Sequence, residues 1–225
     1  MPSRTVGVTM TKLTYSTSIS LDGFVAGANQ DRDHPLGVNG ERLHEWMRDL
    51  AAWRRDAGES GGAVNASTDV YERDGNEGAL VMGRNMFGGG TREWDESWIG
   101  WWGANPPFHL PVFVVTHYER PPLVLDGGTT FTFVTGGVAR ALELARDAAD
   151  GRNVAVAGGA GVAKQFLAAG LVDELLLHVV ATFLGDGVRL FDGDAFAAIE
   201  ATQEWAVDAP GVTHVLYRLS PRPTL

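Results

Sequence analysis

No cysteine occurs among the 225 residues. That excludes disulfides, thiolate metal sites and a cysteine nucleophile, and it suits a reducing compartment. Long apolar runs are also missing: no window of the sequence approaches the ~18 uninterrupted apolar residues of a membrane-spanning helix. The N-terminus lacks the basic-then-apolar layout of a secretory leader. Together these absences point to the cytoplasm. Positive charge is scarce as well. Lysine occurs only at Lys12 and Lys164, and the net charge is −10. No broad basic surface is available to displace counterions from a nucleic acid. An anionic ligand would need a local pocket built from arginines.

An apolar fraction of 44% and a charged fraction of 20% are those of an ordinary globular chain,. The length suits one generous domain or two small ones. With no repeat, low-complexity tract or linker, one domain over 10–225 is the expectation. Residues 1–9 carry no pattern and are expected to form a disordered extension, with Met10 as an alternative start.

The alternating, β-branched "LTYSTSISLDGFVAG" (13–27) reads as a strand broken at Asp22-Gly23,. Leu43, Trp46, Met47, Leu50 and Trp53 fall on one face at helical spacing, predicting a single amphipathic helix over 40–55,. Residues 56–78 read as a Gly- and charge-rich loop with room for a short helix around "STDVYER",. Beyond them the pattern predicts a strand from 78, then strands over 111–122 and 129–137. A helix over 138–150 and a strand over 153–157 follow. The chain closes with a helix near 160–170, a strand over 173–181, a turn at 185–187 and a last strand near 212–219. Strands alternating with helices imply a mostly parallel sheet covered on both faces, with an antiparallel C-terminal edge.

In such a sheet, ligands sit at the C-terminal ends of strands. Three ends carry suggestive residues: Gly83-Arg84-Asn85, Thr116-His117-Tyr118-Glu119-Arg120, and Gly158-Gly159-Ala160-Gly161. Glycines before a helix either make a tight turn or let backbone N–H groups approach a phosphate. Arginines there could hold a further phosphate with paired N–H groups. "GAGVAK" completes only part of a dinucleotide fingerprint, since Lys164 stands in place of the third glycine. No acidic residue follows where the ribose would sit, so a Rossmann domain is a poor reading.

In combination, "STSISLDGFVAG", "VMGRNMF", "PVFVVTH", "TTFTFVTGG", "VAGGAGVAKQFLAAGLVDELLLHVV" and "LGDGVRLF" resemble the dihydrofolate-reductase-like superfamily. The branch they are most similar to is that of the C-terminal reductase domain in the bacterial riboflavin-biosynthesis deaminase-reductase. The resemblance spans the chain from Met10 onward. It implies a three-layer α/β fold: a central, mostly parallel sheet with an antiparallel C-terminal edge and helices on both faces. It implies NADPH as cofactor, and hydride transfer to a small planar heterocycle, either a pterin or a pyrimidine such as the phosphoribosylaminouracil of riboflavin biosynthesis. By motif, Gly83, Arg84 and Asn85 would meet the cofactor's phosphates. Thr116, His117 and Arg120 would surround the 2′-phosphate. Gly158, Gly159, Ala160, Gly161 and Val162 would wrap the pyrophosphate and approach the nicotinamide. Phe87 would border the substrate, Phe24 either packs against the nicotinamide or the substrate or belongs to the core, and a homodimer is the implied assembly.

Asp22 has two readings. A carboxyl in an apolar pocket can have a raised pKa and order a water or donate the proton that accompanies a hydride. Alternatively, Asp-Gly is simply a good turn. His178 either faces the pocket or packs in the interior. Trp94, Trp98, Trp101 and Trp102 suit a substrate wall, a lid or a subunit contact. The six histidines show no metal-ligand spacing, so no metal is expected,. Departures from dihydrofolate reductase include the long, Gly-rich segment before "VMGR". An NADPH- or flavin-binding protein without turnover is therefore the rival reading, because fold alone does not license an activity.

Overall fold

The computed structural model describes residues 11–73, 75–88 and 93–221. The extension over 1–9 and the start at Met10 lie outside the described residues. The strands are β1 (Leu13–Ser20), β2 (Phe24–Ala26), β3 (Glu77–Gly83), β4 (Pro111–Val115), β5 (Leu123–Val124), β6 (Thr130–Val134), β7 (Asn153–Gly158), β8 (Glu174–Val180), β9 (Val188–Arg189), β10 (Ile199–Ala209) and β11 (Val212–Pro221). The helices are α1 (Glu45–Arg48), α2 (Ala51–Asp56), α3 (Ala66–Tyr71), α4 (Arg84–Phe87), α5 (Gly137–Ala148) and α6 (Ala160–Ala168).

Nine strands form one sheet in the order β10-β11-β8-β1-β7-β3-β4-β6-β5. From β8 across to β6 every pairing is parallel, while β11 and β10 add an antiparallel edge. This is the expected architecture, with β5 as a second antiparallel edge. The period-2 alternation of β1 sorts its side chains between two layers. Leu13, Tyr15 and Ile19 enter a core that includes Leu142 and Ala145 of α5 and Phe166 and Leu167 of α6. Thr14, Ser16, Ser18 and Ser20 point to the opposite face, where Trp46 of α1 packs. Further along that face, Met82, Phe87, Val112, Val114 and Phe131 form a second core with Trp94, Trp98 and Trp102 against it.

The helix expected over 40–55 is not continuous. A 3-10 turn (Gly40–Leu43), α1 and α2 replace it. Leu50 is extended at φ −74°, ψ 140° and forms a bridge to Ala63. The Ala63 carbonyl accepts from Ala51 N and the Ala63 N–H donates to Asp49 O, so the 56–63 loop takes backbone groups that a continuous helix would have used,. Leu43 and Leu50 remain fully buried, which explains why their spacing looked helical. The short helix expected around "STDVYER" is α3. The sequence pattern gave no sign of β10, because most of its residues are exposed and apolar alternation is weak. No helix of the described residues is long and apolar enough to cross a membrane.

Candidate functional site

The sheet opens in its middle. β1 pairs with β7 only over Leu13–Tyr15 and Val154–Val156, whereas it follows β8 from Thr14 to Ser20. Beyond Tyr15, β1 and β7 therefore part. Ser16 lies at the start of this slot and is exposed, although β1 is a central strand. A central-strand side chain open to solvent means that no helix covers the slot there.

At the end of β7 the chain turns through Gly158 and Gly159, joined by a cis peptide, into α6. Gly158 has φ +131°, and a Cβ there would stand 3.2 Å from Met86 Sδ. Glycine is required at that position by conformation and by close approach together. Gly159 and Ala160 are partly exposed, and Gly161 is exposed with nothing within 4 Å of where a Cβ would be. The N–H groups of the first turn of α6 thus open toward solvent. Val162 turns its side chain into the interior. It is 7% exposed and packs in the core, and a Cβ on Gly83 would stand 3.0 Å from its Cγ2. The smallness of Gly83 is thus used to seat α6 against β3.

Next along the sheet lie the ends of β3 and β4, which bring two arginines together. Arg84 and Arg120 are each 9% exposed. The Arg84 guanidinium lies 3.8 Å from the Trp94 ring and 4.9 Å from that of Tyr118; Arg120 lies 5.2 Å from Trp94. Arg84 Nη2 donates to the Glu93 carbonyl at 3.2 Å. Arg120 Nη2 donates to the carbonyls of Glu96 and Trp98 at 3.1 and 2.6 Å. Neither forms a salt bridge with an acid among the described residues. Arg84 Nε and Nη1 and Arg120 Nη1 are buried without a partner. Burial pushes both guanidinium groups below their ordinary pKa, and for Arg84 the charge of Arg120 adds to the effect. Buried cations with orphaned donors are costly unless an anion joins them. Thr116 is buried beside them and its Oγ1 accepts from Tyr118 N at 3.1 Å, while Asn85 and His117 are exposed.

Asp22 differs from the proton donor that one reading foresaw. Its carboxylate accepts from Ser20 Oγ at 2.6 Å, Leu184 N at 3.2 Å and Gly185 N at 2.7 Å. These bonds, the Ser20 hydroxyl foremost, lower its pKa to about 2. It is an ionised clamp on the 184–185 turn. In Asp22→Asn, one amide nitrogen would oppose a backbone N–H. We expect a lower Tm and faster proteolytic cleavage near 184–187, read by differential scanning fluorimetry and limited trypsinolysis; an unchanged Tm would remove the clamp.

Phe87 differs too. It is fully buried, edge-on to Phe131, Phe133 and Trp94, and presents no surface to a substrate. Phe24 is 4% exposed, with the Arg189 guanidinium 4.3 Å over its ring. The tryptophans act as an inward-facing cap: Trp94 carries the arginines, Trp98 Nε1 donates to Phe87 O, and Trp102 packs on Phe108.

Sequence reasoning missed a polar cluster on the far wall of the slot. Ser16 Oγ lies 3.0 Å from His178 Nε2, His178 Nδ1 lies 2.7 Å from His214 Nδ1, and His214 Nε2 lies 2.8 Å from Ser67 Oγ. Trp46 packs its ring at 4.7 and 4.8 Å from the two imidazoles. The sequence signals were His178, open to either pocket or interior, and the serine alternation of "STSIS". Among the described residues no group of acids and histidines could hold a metal ion.

Comparison with known proteins adds to this geometry. The family model described as the RibD C-terminal domain matches residues 11–213. A protein from Shewanella sp. PV-4 that carries a provisional riboflavin-biosynthesis name superposes with a TM-score of 0.58 at 20% identity, covering 93% of this chain and 99% of that one. RibD of Acinetobacter baumannii superposes with a TM-score of 0.53 at 15% identity, covering 94% of this chain but 58% of its own length. Both show the shared fold. No curated protein matches the sequence.

Proposed function

Because the chain belongs to the RibD C-terminal domain family, we propose that it is an NADPH-dependent reductase acting on a small planar heterocycle, a pterin or a pyrimidine. The observation that carries the reading is the buried Arg84–Arg120 pair, with three donor nitrogens that lack a hydrogen-bond partner and no salt bridge to an acid among the described residues. Such a pair fits a doubly charged phosphate. It lies two and three strands from β1 in the sheet, with the Gly158–Gly161 turn between. A dinucleotide laid along the strand ends would place its 2′-phosphate at the arginines and its pyrophosphate at the N–H groups of α6. The nicotinamide would then reach the slot. NADPH, when bound, supplies the hydride. The chain's own residues orient the two rings and exclude water: β1 and β7 provide the walls, and Trp46 closes the histidine side.

Gly161 tests the path of the pyrophosphate. A methyl group at this position meets no protein atom within 4 Å. Gly161→Ala is expected to keep the wild-type Tm and to weaken NADPH roughly tenfold, because the added methyl occupies space the ligand needs. Unchanged affinity in isothermal titration would move the pyrophosphate away from α6.

A second reading, cofactor binding without turnover, is favoured by one observation: the Asp22 carboxylate accepts three hydrogen bonds that hold its pKa down at about 2, opposite to the raised value a proton donor needs. Oxidation of NADPH in a screen of pterins and pyrimidines separates the two. Turnover with any of them removes the second reading.

A further inference from the structure

We infer that Ser16 presents its hydroxyl to the slot as a hydrogen-bond donor, and that Ser67, acting through His214 and His178, fixes that polarity. The inference rests on the slot being the substrate site. It selects ring systems that place an acceptor, a carbonyl oxygen or an unprotonated ring nitrogen, over β1.

The four groups form a chain along which the protons can be counted. Two imidazole Nδ1 atoms 2.7 Å apart require one N–H and one lone pair between them,. The chain therefore has two polarities. In one, Ser16 donates to His178 Nε2, His178 Nδ1–H donates to His214, and His214 Nε2–H donates to Ser67. The Ser67 hydroxyl proton then needs a further acceptor. Ser67 is 1% exposed, and among the described residues its Oγ has no second partner. A buried O–H left unpaired is unfavourable. In the other polarity, Ser67 donates to His214 Nε2, His214 Nδ1–H donates to His178 Nδ1, and His178 Nε2–H donates to Ser16 Oγ. Every buried donor is then satisfied. Only the Ser16 O–H is free, and Ser16 is the one exposed member of the chain. Trp46 packs on both rings and its Nε1 donates to Ser18 Oγ at 3.1 Å, which holds the imidazoles in these positions. Ser16 touches the ligand. His178, His214 and Ser67 are positioning residues.

The first test needs no ligand. Long-range proton–nitrogen correlation spectra of the labelled full chain at neutral pH should show His178 as the Nε2–H tautomer and His214 as the Nδ1–H tautomer. The reverse assignment overturns the inference. In Ser67→Ala the two polarities lose their discriminator, so the histidine nitrogen shifts should move toward values averaged between tautomers. Wild-type shifts in that variant would show that Ser67 sets nothing. The second test uses lumazine, a planar ring with carbonyl acceptors, added to protein saturated with NADPH. Ser16→Ala should weaken lumazine about tenfold and Ser16→Thr should restore it. Equal binding by Ser16→Ala, or none by the wild type at millimolar lumazine, overturns the recognition role. Failure to bind NADPH would sink the proposed reductase while leaving the tautomer result to stand or fall alone.

Discussion

Arg84→Met is expected to raise the dissociation constant for NADPH by about 30- to 100-fold, to leave NADH nearly unaffected, and to raise the melting temperature of the ligand-free protein. Loss of a charge-assisted bond to a phosphate is worth about 1.5–3 kcal/mol, which sets the fold-change. NADH lacks the 2′-phosphate, so it loses nothing at this position. The stability change has the opposite sign for a reason visible in the ligand-free chain. The guanidinium is buried with Nε and Nη1 unpaired and has a second guanidinium for a neighbour. Methionine keeps an adaptable apolar stem against Trp94 and removes the buried charge. A gain of about 1 kcal/mol would appear as a rise of about 2–4 °C at this chain length. Titration calorimetry with both nucleotides, beside thermal melts, checks the two halves. Equal losses for NADPH and NADH would take Arg84 off the 2′-phosphate. A lower Tm would show that its bond to the Glu93 carbonyl outweighs the cost of burial.

The strand ends were legible because they combine local signals: an apolar β-branched run, then glycine, then a helical pattern. β3 with α4 and β7 with α6 follow that rule, which places Arg84, whereas Arg120 lies in the polar stretch after β4 that neither a glycine nor a helix marks. The sequence could not tell what those arginines lack. That requires knowing that among the described residues no acid forms a salt bridge with them, although the charges of Glu96 and Asp95 act on Arg120, which is a tertiary fact. Asp22 shows the same limit. Its turn at "SLDG" was legible, and the Ser20 hydroxyl that lowers its pKa most is local, but the further N–H groups of Leu184 and Gly185 come from more than 160 residues away. Periodicity misled at 40–55, where Leu43 and Leu50 are buried from separate elements with a bridge to Ala63 between them. The motif resemblance misled at Phe87, whose place beside "GRN" suggested the site, although its side chain points into the aromatic core. The slot itself left one trace, the serines of β1. Of these only Ser16 is exposed, while Ser18 and Ser20 are buried on the face where Trp46 of α1 packs.

The histidine pair makes stability fall as the solution becomes mildly acidic. Burial lowers the pKa of His178 to about 3, with the neighbouring His214 and His44 contributing, and lowers that of His214 to about 4. His44 is also lowered, by burial and by the charge of Arg48, against an opposing pull from Glu41. In the unfolded chain each histidine titrates near 6.5. Between that value and the folded pKa, the unfolded state binds more protons than the folded one, so stability drops as pH falls. At 1.36 kcal/mol per unit for each group, His178 and His214 together cost about 4 kcal/mol by pH 5. The Asp22 clamp does not contribute in this window. Its pKa is lowered to about 2, so its stabilisation is lost only below the ordinary carboxylate range. Urea midpoints at pH 7.5 and pH 5.0 measure the difference, and a His178→Gln, His214→Gln double variant should flatten it. A wild-type midpoint that does not move would mean that the pair accepts a proton at little cost. The folded chain would then hold a shared imidazolium cation, with N–H donated toward both serines, and the polarity set by Ser67 would be lost in the same pH range.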